Sequence, residues 1–284
     1  MTDLNVLLLR AGLFIYLAST VAYLAYSTFL RKKTVGLIAF IALIAGLLAH
    51  TAFQVVRVVE YWNQHQALIL PTASLFEAIS YCAWMIALVY VLSERYIRTR
   101  LFGAPVAGVV TLMLGYAMLS GAAQAPRPLM PALKSPWLNI HVTAMMLSYA
   151  GLLIGSVIAA FYLLRLRKLG WTERLFSTMT MEEHDLLAYK FILFAFPILT
   201  VGIITGAIWA DQAWGRFWGW DPKETWSLIT WVIWAGYLHT RIAFGWRGAR
   251  SAWFAIAGII SVFVTFLGVN FLVDYFNVTS LHSY

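Results

Sequence analysis

Apolar residues run through this chain in stretches of about 20, separated by short polar segments that carry most of the charge. A stretch of that length lets an α-helix cross the ~30 Å hydrocarbon core of a bilayer. Eight spans are predicted, at roughly 5–28, 34–56, 75–93, 102–121, 138–164, 190–210, 225–243 and 252–272. The expected fold is an all-α polytopic membrane protein with about eight transmembrane helices. With no low-complexity linker and no convincing internal repeat, residues 1–284 read as a single membrane-embedded domain. No small-residue cleavage site follows the first apolar run, so it is expected to be a retained helix rather than a signal peptide.

Local signals mark several helix starts. Thr180-Met-Glu-Glu183 is a capping-box pattern that should begin a short helix at the inner surface, leading into the sixth span. His184 on it reads as a solvated histidine. Ser74-Leu-Phe-Glu77 is a second such pattern behind the turn marked by Pro71, and Glu77 is either its cap or a carboxylate in reach of an external ligand. Asp221-Pro222-Lys223-Glu224 has a capping acceptor, Pro at the first helical position and Glu at the third. Gly202 and Gly206 form a small-xxx-small face for the close approach of another helix or of a flat ligand.

Composition sharpens the membrane reading: 62% of residues are hydrophobic, 11% charged, and the net charge is +8. The placement of that charge reflects topology and gives no reason to invoke nucleic acid. Alternate loops on one side hold Arg31, Lys32, Lys33, Arg95, Arg98, Arg100, Arg165, Arg167, Lys168, Arg174, Lys190, Arg241, Arg247 and Arg250. The other side holds only Arg57, Arg127, Lys134, Arg216 and Lys223. The positive-inside rule then puts both termini, and the loop between spans six and seven, outside the cytoplasm. The sole cysteine, Cys82, is expected in the core; it permits neither an internal disulfide nor a Cys-x-x-Cys or Cys-x-x-Cys-His motif.

That outer loop carries the most unusual chemistry. Seven of the 13 tryptophans fall between Trp209 and Trp234, around the segment Trp214-Gly-Arg-Phe-Trp-Gly-Trp-Asp-Pro-Lys-Glu-Thr-Trp226. An interfacial aromatic belt explains a few of them. Trp214, Trp218 and Trp220, interrupted by glycines, instead suggest a platform for a large planar ligand. His141 opens span five and His282 lies in the C-terminal tail, both on the outer side. Two imidazoles flanking an aromatic platform are suited to axial ligation of haem iron from opposite faces. His239, near the inner end of span seven, is either an interfacial residue or part of a second site within the membrane. His50 and His65 read as structural.

The Trp214–Trp226 segment resembles the tryptophan-rich WWD motif of the haem-handling proteins of cytochrome c biogenesis. Together with Ile140-His141-Val142, Leu147-Ser-Tyr-Ala150, Tyr237-Leu-His-Thr-Arg241 and the terminal Leu281-His-Ser-Tyr284, it resembles the CcsA (ResC) branch, called system II, from about span three onward. The CcmC type is expected to be shorter and the CcmF type much longer. The resemblance implies that His141 and His282 are axial ligands and that His239 belongs to a transmembrane haem site. Trp214, Trp218, Trp220, Asp221 and Trp226 would bind the cofactor, haem b carried as the transported substrate. It also implies a separate CcsB (ResB) subunit, apocytochrome c bearing Cys-x-x-Cys-His as the acceptor, and thiol-reducing factors acting indirectly. The expected function is haem transport and presentation for covalent attachment, as a subunit of a holocytochrome c synthase. The alternatives are a haem exporter or chaperone without attachment, and a transporter of another planar ligand such as a quinone. The expected location is a bacterial inner membrane with the active face periplasmic, a thylakoid membrane being the other option.

Overall fold

The computed structural model describes residues 3–30, 32–97, 99–119, 134–168, 170–175, 179–269, 271 and 275. Most of these residues are helical, and there is no strand among them. The helices are α1 (Asp3–Ala25), α2 (Lys33–His65), α3 (Leu75–Ser93), α4 (Gly103–Leu119) and α5 (Pro136–Leu166), followed by α6 (Gly170–Leu175), α7 (Met181–Trp214), α8 (Pro222–Ala243) and α9 (Ala249–Phe263). π-Helical turns at Tyr26–Leu30 and Val264–Gly268 continue α1 and α9. Of these, α1, α2, α3, α5, α7 and α9 with its following turn are long and apolar enough to cross a membrane. The other two predicted spans are helices in the expected places. With 17 residues α4 reaches only about 25 Å, and α8, although 22 residues long, is made more polar by Lys223, Glu224, His239 and Arg241.

The chain forms two compact units, Met1–Asn139 and Ile140–Tyr284. In the first, α1 packs on α2 and α4, and α3 packs on both α2 and α4, so the four helices close a ring of neighbours. Its polar interior is concentrated between α2 and α3. Arg57 pairs with Glu77 and Glu60, the Tyr61 hydroxyl donates to Glu77 at 2.9 Å, and His50 meets the Ser80 hydroxyl at 2.9 Å. α2 continues to His65 instead of ending near residue 56, and Arg57, Glu60 and Tyr61 on that extension find partners inside the protein. Cys82 is buried, as expected.

Ser74 caps α3 by accepting the Glu77 N–H at 3.3 Å, but the predicted box is only half built. Arg57 and Tyr61 draw the Glu77 carboxylate into the core, where Oε2 accepts from the Ala73 N–H at 3.0 Å. Glu77 is therefore buried in a structural ion pair.

In the second unit α5 and α7 run antiparallel at close range. Their contacts descend one helix as they climb the other, His141 on Gly206, Met145 on Gly202, Gly151 on Ala195 and Gly155 on Ile192. Small residues on both helices permit this approach, the usual device for packing helices in lipid. The box Thr180–Glu183 is complete, and the helix it starts runs unbroken from Met181 to Trp214, so the separate surface helix expected ahead of span six is instead its first turns. His184 on those turns is fully buried and not solvated. At the same end, Asp185 holds Arg241 of α8 through two bonds of 2.8 and 2.6 Å and accepts the Gly248 N–H that precedes α9 at 2.9 Å.

Candidate functional site

The aromatic loop is fixed by its flanking helix ends. Gly215, at φ +71°, gives α7 a left-handed cap, and its N–H donates to the Asp211 carbonyl at 2.8 Å. Six residues later Asp221 caps α8, accepting from the Lys223 N–H at 2.9 Å, and Glu224 Oε2 accepts from Asp221 N–H at 3.1 Å and Gly219 N–H at 2.7 Å. The glycines of the motif are thus explained within the loop. A Cβ on Gly219 would lie 2.5 Å from the Arg216 guanidinium carbon. Trp220 adopts φ +57°, a left-handed conformation that a bulky side chain rarely takes, and is 69% exposed. Strain of this kind, about 1–3 kcal/mol, tends to collect at functional sites.

Behind the loop lies a partly open cavity with about 760 Å³ of unfilled space, including solvent at its mouth. His141, Met145 and Tyr149 of α5, Gly206 of α7, Trp218 of the loop and Phe266 of the turn after α9 all contribute to its wall. A π-helical turn places Thr265 and Phe266 there, a local device frequent at functional sites. Thr265 is itself anchored by the Thr230 hydroxyl at 2.8 Å and by the carbonyls of Trp226 at 3.1 Å and Ser261 at 2.8 Å.

His141 is oriented from three directions. Its Nδ1 lies 2.7 Å from the Gly202 carbonyl. A carbonyl only accepts, so in the neutral ring Nδ1 carries the proton and Nε2 the lone pair. Gly206 admits the ring edge, since a Cβ there would stand 2.6 Å from Cε1 and Nδ1. Trp209 lies parallel to the imidazole, 11° between planes and 6.3 Å between centroids, and Trp214 meets Trp209 edge-on at 4.8 Å. Donation of Nδ1–H to a carbonyl is the usual arrangement behind a metal-ligating imidazole. The Gly202–Gly206 face therefore receives helix α5, and through it the histidine.

The predicted site residues separate into groups. His141 and Trp218 line the cavity together. Trp220 stands edge-on to Trp218 at 5.9 Å, and Trp214 supports Trp209 behind His141. Asp221 is a buried helix cap, and the Trp226 carbonyl anchors Thr265. Two of the seven clustered tryptophans are packing residues. Trp231 donates to Thr200 at 2.9 Å, and Trp234 is fully buried. His239 is exposed on α8 with its ring edge-on to Phe244 at 5.4 Å, and it does not line this cavity. His282 lies outside the described residues.

Sequence reasoning did not select Met145, Tyr149, Thr265, Phe266 or Lys223 as wall residues. Lys223 is visible in the motif only as part of a helix start, and burial beside the cavity pushes its ammonium down to about 8 despite the opposing charge of Asp221. Nothing in the periodicity marks the π-helical turn that carries Thr265 and Phe266.

Residues 72–276 match the family model described as cytochrome C assembly protein. Among similar proteins is the cytochrome c biogenesis protein CcsA of Gloeobacter violaceus, 34% identical over 338 aligned residues, covering 99% of this chain and 96% of the relative. CcsA of Heterosigma akashiwo is 38% identical over 259 residues, covering 78% of this chain and 79% of the relative. CcsA of Guillardia theta is 39% identical over 234 residues, covering 75% and 76%. A solved structure, cytochrome c heme lyase CcmF, shares the fold with a TM-score of 0.68 at 20% identity. The alignment covers 93% of this chain and 46% of that one, so the present chain spans about half of its length.

Proposed function

Since this chain belongs to the cytochrome c assembly protein family, we propose that its part in cytochrome c biogenesis is to hold haem b at the aromatic loop and present it for covalent attachment to apocytochrome c. The observation that carries this reading is the histidine on the cavity wall, its Nδ1 held at 2.7 Å by the Gly202 carbonyl, in the same cavity as Trp218. His141 Nε2 ligates the iron on one face and His282 on the other. Trp218 and Phe266 supply apolar contact to the porphyrin. Trp220, held outward by its left-handed backbone, covers the edge.

In this arrangement the chain contributes placement. Axial ligation fixes the iron, aromatic contact fixes the plane, and the vinyl edge is left to the two thiols of an acceptor Cys-x-x-Cys-His segment. Each thiol adds its S–H across one vinyl double bond, forming a thioether with no net oxidation. Holding the groups together makes that addition a local event. The acceptor histidine then displaces one of the two ligands. A CcsB subunit completes the assembly, and the exposed His239 contributes to its transmembrane haem site. Haem enters from the inner half of a bacterial inner membrane or a thylakoid membrane and is presented on the outer face.

The test is the absorption spectrum of the detergent-purified protein, with and without CcsB, for the wild type and for His141→Ala, His282→Ala and His239→Ala. A bis-histidine spectrum altered by the first two changes is expected, together with an effect of His239→Ala confined to the complex. An identical spectrum in every variant, or no haem in the wild type with its partner, would overturn the assignment. Haem binding with thioether formation indifferent to the aromatic loop would leave a carrier that takes no part in attachment.

A further inference from the structure

The first unit buries a polar cluster within α2 that has no part in the aromatic cavity. His50 and Tyr16 are fully buried, and Gln54 is 6% exposed. His50 Nε2 lies 2.9 Å from the Ser80 hydroxyl and 3.3 Å from the Gln54 amide nitrogen. An amide nitrogen only donates, so in the neutral ring Nε2 carries the lone pair and Nδ1 the proton. That Nδ1–H has no acceptor among the described residues, Gln54 Oε1 has no donor, and the Tyr16 hydroxyl has neither. Leaving such groups unpaired in an apolar interior is costly, and folded proteins rarely do so.

There is room beside these groups. Gly12 is buried on α1, one turn before Tyr16, and a Cβ there would meet nothing nearer than 3.8 Å, its neighbours being the Gly46 carbonyl and the Cβ and N of His50. Gly46 in turn lets the Tyr16 ring lie against α2, since a Cβ at 46 would stand 2.7 Å from its Cδ1. The same ring meets His50 edge-on at 5.9 Å. Alanine is the better helix former and would fit at position 12 without a clash, so the glycine leaves a methyl-sized space next to unpaired polar groups. A space of that size and lining suits a water molecule and nothing larger. We infer that α1, α2 and α3 bind an internal water between Gly12 and His50, which accepts the Nδ1–H of His50, donates to Gln54 Oε1 and pairs with the Tyr16 hydroxyl. Its bonds join three helices at one depth of the membrane, where no bulk water competes for them. The site belongs to the first unit and does not depend on the haem reading.

X-ray footprinting of the full chain in detergent tests this, because hydroxyl radicals formed from bound water oxidise the side chains that touch it. Tyr16 and His50 should be oxidised well above the level of Phe102, which is equally sealed from solvent. Gly12→Ala fills the space and should bring both down to the Phe102 level. It should also lower the unfolding midpoint, although alanine favours the helix, because the buried groups lose their partner. Gly108→Ala in α4 is the control. Its Cβ would meet only the Thr20 methyl, at 3.7 Å, so it should raise the midpoint and leave the labelling unchanged. Wild-type Tyr16 and His50 as inert as Phe102 would overturn the inference. So would labelling that survives Gly12→Ala, or a Gly12→Ala midpoint raised as in Gly108→Ala.

Discussion

An alanine methyl at position 206 would stand 2.6 Å from Cε1 and Nδ1 of His141, closer than side-chain carbons approach one another, so Gly206→Ala must move the imidazole off the Gly202 carbonyl. Overpacking of this kind costs about 1–3 kcal/mol. Gly215→Ala is the instructive comparison, because Gly215 needs its positive φ for the α7 cap but has no neighbour within 4 Å of a Cβ. Both substitutions should lower the unfolding midpoint, and only Gly206→Ala should perturb the haem spectrum; equal spectra would show that the imidazole does not depend on this contact. Lys223 makes a separate prediction. Its ammonium is lowered to about 8 by burial, against the attraction of Asp221, and Glu224 and His141 share the cavity wall with it. A base with a lowered folded value carries its full penalty below about 8 and loses it as pH rises toward 10.5, because the unfolded chain then holds the extra proton. Without ligand, wild type should therefore gain stability relative to Lys223→Met between pH 8 and 10, which thermal unfolding in detergent would measure. A parallel pair of curves would contradict the burial.

Between helices, Asp185 is the group on which the Met181 end of α7 in the second unit depends. It takes both guanidinium nitrogens of Arg241 and the Gly248 N–H, tying α7 to α8 and to the start of α9. Arg241 is nearly buried, so Asp185→Ala leaves an uncompensated charge and should cost about 3–5 kcal/mol. Arg241→Lys keeps the charge but loses the fork and should cost less; equal unfolding midpoints for the wild type and Asp185→Ala would contradict this account. None of this pairing was legible in the sequence, where Arg241 counts only as an inner-side cation, because the partners are 56 residues apart. What was legible is local. Thr180–Glu183 and Asp221–Glu224 form the predicted boxes in full, since capping depends on residues three apart. Ser74–Glu77 fails by half because Arg57, 20 residues away, competes for the carboxylate. The same limit governs the aromatic site. The spacing of tryptophans located the loop, and His141 was found from its place at a helix start. Yet Trp231 and Trp234 were indistinguishable from the others until α8 had neighbours, and the turn carrying Phe266 reaches the wall only through a π-helical irregularity.

For the molecule as a whole, composition states the membrane class and charge asymmetry predicts its direction. Fourteen cations fall in alternate loops on one side and five on the other, with Arg10 inside a span. A bilayer converts that imbalance into an orientation because translocating short loops rich in Lys and Arg is disfavoured. The two units permit separate tests of it. Gln64, at the end of α2, and Arg216, in the aromatic loop, are exposed and assigned to the outer side. Arg95, after α3, and Arg247, between α8 and α9, are exposed and assigned to the inner side. The only native thiol, Cys82, is buried, and Cys82→Ser removes any residual background. Single cysteines at the four positions, treated in intact cells with a membrane-impermeant maleimide, should label at 64 and 216 alone, with 95 and 247 reacting only after the membrane is opened. Reversal at all four would place the aromatic loop on the cytoplasmic face and remove the route to an acceptor on the outside. Reversal within one unit alone would mean an even number of crossings between Arg95 and Arg216, where α4, α5 and α7 are expected to make three. Since α4 is short, it is where such a miscount would arise, whereas failure of the polar α8 to cross would make 216 and 247 label alike. Agreement at all four positions would require α4 and α8 to cross despite these defects, with α8 relying on protein neighbours to shield its polar groups.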